Sequence, residues 1–193
     1  MRRLTVGGIC SGIGGFERGF ELAGFDIAWM IEIDPWCRRV IAKHWPGVRC
    51  YEDVRTVGRR ELPAVDVLCG GFPCQPHSTA GRRLGAADER DLWPECRRLV
   101  RELRPRWVVL ENVPGLLSID AGRFFGGILS DLADLRYDAE WSCLSAAEVG
   151  APHKRDRVWI VAYPHGEFGR GGVLSWPDVV CDICPDGPQA QRA

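Results

Sequence analysis

The sequence predicts an α/β sandwich: a doubly wound, mostly parallel sheet of seven strands in a Rossmann-like arrangement. Two observations carry this. Short apolar runs alternate with amphipathic segments along most of the chain. The unusual residues, meaning glycine clusters, prolines and isolated acids, fall where those apolar runs end, and the carboxyl ends of strands are where such sheets bind ligands.

The elements follow in order. "LTVGGI" reads as a first strand and Gly14 to Ala23 as a helix opened by glycines. "FDIAWMIEI" is a second strand, and Pro35 to His44 a helix with proline in its first turn. Residues 48–51 form a short third strand and "AVDVLCGG" a fourth. Asp91 to Leu103 is a helix with Leu92, Cys96, Leu99, Val100 and Leu103 at helical spacing. "RWVVLENV" is the fifth strand, Phe124 to Leu135 a helix, "AEWSCLSAAEV" holds the sixth strand and "RVWIVAY" is the seventh. The pattern divides the chain into a domain over residues 1–163 and a Gly-, Pro- and Asp-rich tail over 164–193, read as loop and poorly ordered.

The chain has 193 residues, enough for a single core, with 46% hydrophobic and 26% charged residues, as in globular proteins. No apolar run suffices to span a bilayer, and "MRRLTVGGICSG" is too short for a secretory leader, so no membrane partner is expected. Nine cysteines, an odd count, point to reduced thiols and a cytoplasmic setting. Cys181 and Cys184 form a lone CxxC with no second half, so no metal is expected. The net charge of −1 does not by itself advertise nucleic acid. The only lysines are Lys43 and Lys154; the other cations are arginines, suited to phosphates and base edges or reflecting codon usage.

Three stretches carry chemistry. In "CSGIGGFERG", glycines between a strand and a helix permit a tight turn and close backbone approach. Glu32 follows Gly12 by about twenty residues, a spacing suited to a carboxylate on ribose hydroxyls. Glu17 stands where a dinucleotide fingerprint needs its third glycine, which favours an adenosine cofactor without pyrophosphate, such as S-adenosylmethionine. Asp53, after the third strand, could accept from an adenine amino group or be an ordinary turn aspartate. In "GGFPCQPHSTAG", glycines and prolines mount Cys74 past a buried strand, as suits a nucleophile. Glu111 ends the fifth strand and should face the same pocket, because the fourth and fifth strands of such sheets are neighbours. Burial there would favour its neutral, proton-donating form. "PHKRDRVWIVAY" brings Lys154, Arg155 and Arg157 before the last strand; alternation puts the two arginines on one side, one for phosphate and one for a base carbonyl. The rival reading is a solvated strand entrance.

"CSGIGGFERGFELAG", "FPCQPHSTAG", "ENVPG" and "GAPHKRDRVWIVA" occur in an order that resembles the DNA cytosine-5 methyltransferases, over roughly residues 4–163. The resemblance implies methyl transfer from S-adenosylmethionine to C5 of a cytosine flipped out of double-stranded DNA. Cys74 would attack C6, Glu111 would engage N3 and Arg157 the base carbonyl. Gln75, Ser78, Asn112 and Arg155 would contact the nucleic acid. Ser11, Gly12, Gly14, Gly15, Glu32, Ile33, Asp53, Pro73 and Leu92 would hold the cofactor. Gly8 and Cys10 stand where the family has an acid and an aromatic, His77 where an aromatic is usual, and His153 where glutamine is common. The family normally continues into a target-recognition domain and a closing helix, and the residues after Tyr163 show neither. Three readings stay open: a fragment, one subunit of a split enzyme with a second chain supplying recognition, or a minimal or inactive relative. An RNA substrate, a non-catalytic binding module and a nicotinamide-dependent oxidoreductase are the rivals by function.

Overall fold

The computed structural model describes residues 2–73 and 91–166. Seven strands form one sheet: β1 (Thr5–Ile9), β2 (Asp26–Ile31), β3 (Arg49–Tyr51), β4 (Val67–Gly70), β5 (Trp107–Asn112), β6 (Tyr137–Ser145) and β7 (Asp156–Pro164). Among the described residues, four α-helices connect them: α1 (Gly15–Leu22), α2 (Pro35–His44), α3 (Trp93–Leu103) and α4 (Arg123–Asp134). The spatial order is β3-β2-β1-β4-β5-β7-β6. The pairings among β1 to β5 are parallel, and β7 runs antiparallel to β5 and β6. The expected mostly parallel, seven-stranded sheet is therefore present, and β4 and β5 are neighbours as anticipated.

Side chains alternate across the sheet because successive residues of a strand point to opposite faces. Leu68, Val108, Leu110, Val158 and Ile160 join one core, with Cys96, Leu99 and Val100 of α3 and Ile128 and Leu132 of α4. Val67, Cys69, Trp107, Val109 and Val161 join the other, against which Phe16 and Phe20 of α1 pack. Ile41 and Trp45, from α2 and its C-cap, cover Met30 at the β2 edge. Helices on both faces make the sandwich doubly wound.

The elements end where local chemistry ends them. Asp34 caps α2 by accepting hydrogen bonds from Trp36 N at 2.7 Å and Cys37 N at 3.0 Å, with Pro35 in the first turn. Two strands are clearly shorter than expected, β2 with six residues instead of nine and β4 with four instead of eight, while β7 has nine instead of seven. The sixth strand begins at Tyr137 and stops at Ser145, where a capping box with Glu148 starts a 3-10 turn, so residues 146–149 are not strand.

The strand order reverses between β1 and β4. Here the backbones approach so closely that a Cβ on Gly70 would overlap the Ile9 carbonyl oxygen. Glycine at that position lets the turn after β1 and the segment after β4 open side by side, at the topological switch point where doubly wound sheets bind ligands.

Candidate active site

The turn after β1 is built by hydrogen bonds rather than by apolar packing. Ser11 N donates to Ile31 O at 3.1 Å and Gly14 N to Ser11 O at 2.8 Å. Gly12 and Gly14 have φ of 56° and 89°, the left-handed region that favours glycine. A Cβ at Gly12 would meet nothing within 4 Å, so the turn presents open backbone there, whereas one at Gly14 would overlap the Trp45 ring. Gly15 opens α1, so the helix N-terminus points its free amides out of the turn.

Glu32 is buried just beyond β2, 8% exposed. Its Oε2 accepts from Gly12 N at 2.7 Å and its Oε1 from Asp34 N at 2.8 Å. The carboxylate thus ties the glycine turn to the start of α2, and each oxygen keeps a lone-pair direction for a further donor. Ile33 beside it is exposed. Asp53 accepts from Arg55 N at 2.9 Å and pairs with the Arg55 guanidinium at 3.6 Å, which makes it an N-cap of a 3-10 turn. A cavity of about 380 Å³ opens between this turn and the start of α3, lined by Arg55, Asp91, Pro94 and Glu95. Leu92 precedes α3 and packs on the core, and Pro73 is half-buried. The first two cofactor features, the glycine turn and Glu32, are directly joined, and Asp53 stands two residues beyond the strand that pairs with β2.

Cys74, Gln75 and Ser78 lie outside the described residues, as do His77 and the Cys181/Cys184 pair. The segment that leads to Cys74 is described and is tethered. Asn112 Nδ2 donates to Phe72 O at 2.9 Å, and its Oδ1 accepts from Val113 N at 2.9 Å. Asn112 is 4% exposed. Each end of its amide makes a backbone contact, which locks β5 to the chain leaving β4, a place the sequence reading did not anticipate.

Glu111 also departs from expectation. Its side chain is 23% exposed rather than buried, and its Oε1 lies 2.6 Å from Arg157 Nε. The burial that was expected to favour a neutral acid is replaced by an ion pair. The other oxygen stands over the β4 exit, because a Cβ on Gly71 would come within 2.9 Å of it. Arg155 precedes β7 with φ of 42°, so simple strand alternation does not apply to it. It reaches the same side as Arg157 by that turn instead. Both arginines, Glu111 and Trp159 line a cavity of about 400 Å³ with Gly15 and Phe16 of α1 and Leu144, Ser145, Ala146 and Val149. The sequence reading missed Phe16, Trp159 and the 145–149 turn as lining. Residues spaced so far apart give no periodic signal of a shared cavity.

The Cys10, Cys69 and Cys96 thiols contrast with what a nucleophile requires. Burial, reinforced by Glu32, pushes the Cys10 thiol up to about 12. Burial raises Cys69 and Cys96 well above the ordinary range too. Each stays a neutral thiol at physiological pH, a poor nucleophile.

The profile of the C-5 cytosine-specific DNA methylases matches residues 4–169. The chain belongs to that family. Among curated relatives, it is 41% identical over 171 residues to the type II methyltransferase M.NgoMIV of Neisseria gonorrhoeae, covering 88% of this chain and 54% of the relative. It is 34% identical over 171 residues to M.MspI of Moraxella sp, covering 86% of this chain and 41% of that one. The chain therefore spans about half the length, or less, of these type II methyltransferases. The solved Dnmt2 methyltransferase of S. pombe superposes with a TM-score of 0.70 over 92% of this chain and 54% of its own, at 21% identity, a likeness of fold. Cys10, directly after β1, takes a positive φ of 52° at the inner end of the glycine turn.

Proposed function

We propose that this chain transfers a methyl group from S-adenosylmethionine to C5 of a cytosine flipped out of double-stranded DNA, through a covalent bond between Cys74 and C6. The observation that carries the reading is the Glu111–Arg157 pair at 2.6 Å, above the β4 exit that leads to Cys74 and in one cavity with the glycine-turn helix. A base-reading acid and guanidinium and the cofactor turn then serve the same space.

The residues present fit the cofactor. Open backbone at Gly12, free amides at the start of α1 and a buried carboxylate with lone pairs to spare suit an amino-acid moiety and a ribose. Ser11, Gly12, Gly14 and Gly15 would hold the amino-acid end, Glu32 the ribose hydroxyls, Ile33 and Asp53 the adenine, and Pro73 and Leu92 the opposite wall. When bound, S-adenosylmethionine supplies an electrophilic methyl group.

Cytosine C5 is a weak nucleophile, so the ring must be activated. The Cys74 thiolate would add to C6, and Glu111, exchanging its pairing with Arg157 for a proton that it shares with the base, would donate a hydrogen bond to N3 and disperse the developing charge. Arg157 would take the base carbonyl, and Arg155 with Gln75 and Ser78 the flanking backbone. Loss of the C5 proton and departure of Cys74 then restore the aromatic ring. The raised thiols of Cys10, Cys69 and Cys96 support assigning the nucleophile to Cys74.

Because the chain spans about half of its curated relatives, target recognition by a further segment or a second chain is the companion reading. One experiment separates them. The purified chain is mixed with S-adenosylmethionine and mixed-sequence duplex DNA containing 5-fluorocytosine, whose fluorine cannot leave as the proton does. A denaturant-stable adduct mapped to Cys74, and absent in Cys74→Ser, is the expected result. An adduct that persists in Cys74→Ser overturns the nucleophile. Cofactor binding without any adduct favours the companion reading.

A further inference from the structure

Glu17 is the most deeply buried acid among the described residues, fully inaccessible on the inner side of α1. Neither of its carboxyl oxygens has a hydrogen-bond partner, and the buried Ser11 Oγ lacks one too. These orphans meet at one place. A Cβ added to Gly8 would overlap Glu17 Oε1 and lie 2.7 Å from Ser11 Oγ and 2.9 Å from Glu17 Cδ. The carboxyl of α1 thus fills the volume that a side chain on β1 would occupy, directly behind the glycine turn.

An unpaired carboxylate is costly to bury, whereas the protonated acid is much less so and brings an O–H that the Ser11 oxygen can accept. The surroundings push the same way. Burial raises the Glu17 carboxyl above its ordinary range, the Ser11 hydroxyl and the backbone amide of Glu17 partly oppose this, and Glu32 at the end of β2 adds to the rise. Cys69 of β4 and Cys50 of β3 also feel Glu17. Each of these, when ionised, is an anion, and none offers it a counter-charge.

We propose that Glu17 is a positioning residue for the glycine turn: as a neutral acid it replaces the missing side chain at Gly8 and holds Ser11, so that the amides from Gly12 to Gly15 keep the conformation that receives the cofactor. This rests on the S-adenosylmethionine reading and adds to it a residue that acts through the turn, touching no reacting atom.

The test compares the parent chain with Glu17→Gln and Glu17→Ala. Two readouts are used: the carboxyl C=O infrared band in the parent-minus-Glu17→Gln difference spectrum near neutral pH, and S-adenosylmethionine affinity by calorimetry across the neutral range. The protonated-acid band is expected in the parent. Glu17→Gln, which keeps volume and a hydrogen-bond donor, should bind within about 2-fold of the parent with no pH dependence of its own. Glu17→Ala should weaken binding by roughly 10-fold, the cost of one buried hydrogen bond and its cavity. On raising the pH, the parent's affinity should fall as its band disappears. No band in the parent, or a Glu17→Gln loss as large as that of Glu17→Ala, overturns the proposal while leaving the cofactor reading intact. A parent that binds no S-adenosylmethionine overturns both. Should Glu17→Ala fail to fold, the band and the pH profile of Glu17→Gln decide alone.

Discussion

Glu111 and Arg157 make a pair whose value lies in being broken. Each satisfies the other at 2.6 Å, with both side chains only about one-fifth exposed. On the proposed mechanism the pair keeps two groups aimed at one cavity until a base separates them. Glu111→Gln keeps the shape and a contact to Arg157 but weakens stabilisation of charge at N3. Turnover is expected to fall by about 100-fold, the scale of one general acid–base contribution, with DNA affinity nearly unchanged. Single-turnover methylation alongside a DNA-binding titration checks it, and equal losses in both would make Glu111 a structural residue. Glu32 shows the opposite economy: its two backbone contacts make it a strut of the turn as well as a candidate ligand, so its removal would act on both.

At the scale of elements, the site depends on how β1 and β4 are spliced. Gly70 pairs with Ile9 in parallel register, and any side chain there meets the Ile9 carbonyl, which belongs to backbone and cannot swing aside. Gly70→Ala must therefore pry the two strands apart at the end that opens into the site. The expected loss is about 2 kcal/mol or more, at the upper part of the range for overpacked cores, seen as a lower urea midpoint. Weaker cofactor binding should accompany it. A midpoint within error of the parent would show that the strands part easily. The Asn112 tether and the Asp34 cap act similarly: one fixes the exit of β4 against β5, the other fixes α2 below Glu32.

Across the whole molecule, acids of opposite sign shape the response to pH. Burial alone would raise Asp66, but the Thr5 N–H at 2.8 Å, the Thr5 hydroxyl at 2.9 Å and Arg2 override it and hold the carboxyl below its ordinary range. Glu102 behaves likewise, with Arg98 and the Arg59 amide overriding burial. Stability from a lowered acid is complete above its unfolded value and is lost as pH falls through its folded value. Glu17 is raised, so its contribution is complete below the ordinary glutamate range and is lost as pH rises through its folded value. Urea midpoints measured from about pH 4 to pH 8 should therefore drop on the acid side in parent and Glu17→Gln alike, while the decline toward neutral pH is absent in Glu17→Gln. A Glu17→Gln curve parallel to the parent throughout would remove Glu17 from the account. No helix among the described residues is long and apolar enough to cross a membrane.

Alternation of apolar runs by itself determined the seven strands, the four helices and their order, because period-2 and period-3.6 burial is written locally. It also placed the glycine turn, Glu32, Glu111 and the two arginines at the strand ends, since residues unsuited to a core stand out where a core stops. What only the tertiary structure decided are the relations across strands. Asn112, adjacent to Glu111 in sequence, turns inward to Phe72, and Glu111 meets Arg157 from an antiparallel neighbour. Glu17 stands out in sequence only as the residue where a dinucleotide fingerprint needs its third glycine; packing makes it the filler of a volume left by a glycine on another element. Such pairings depend on which elements become neighbours and how closely their backbones approach, and that is set by the closing of the sheet and its helices around a shared core rather than by any local pattern.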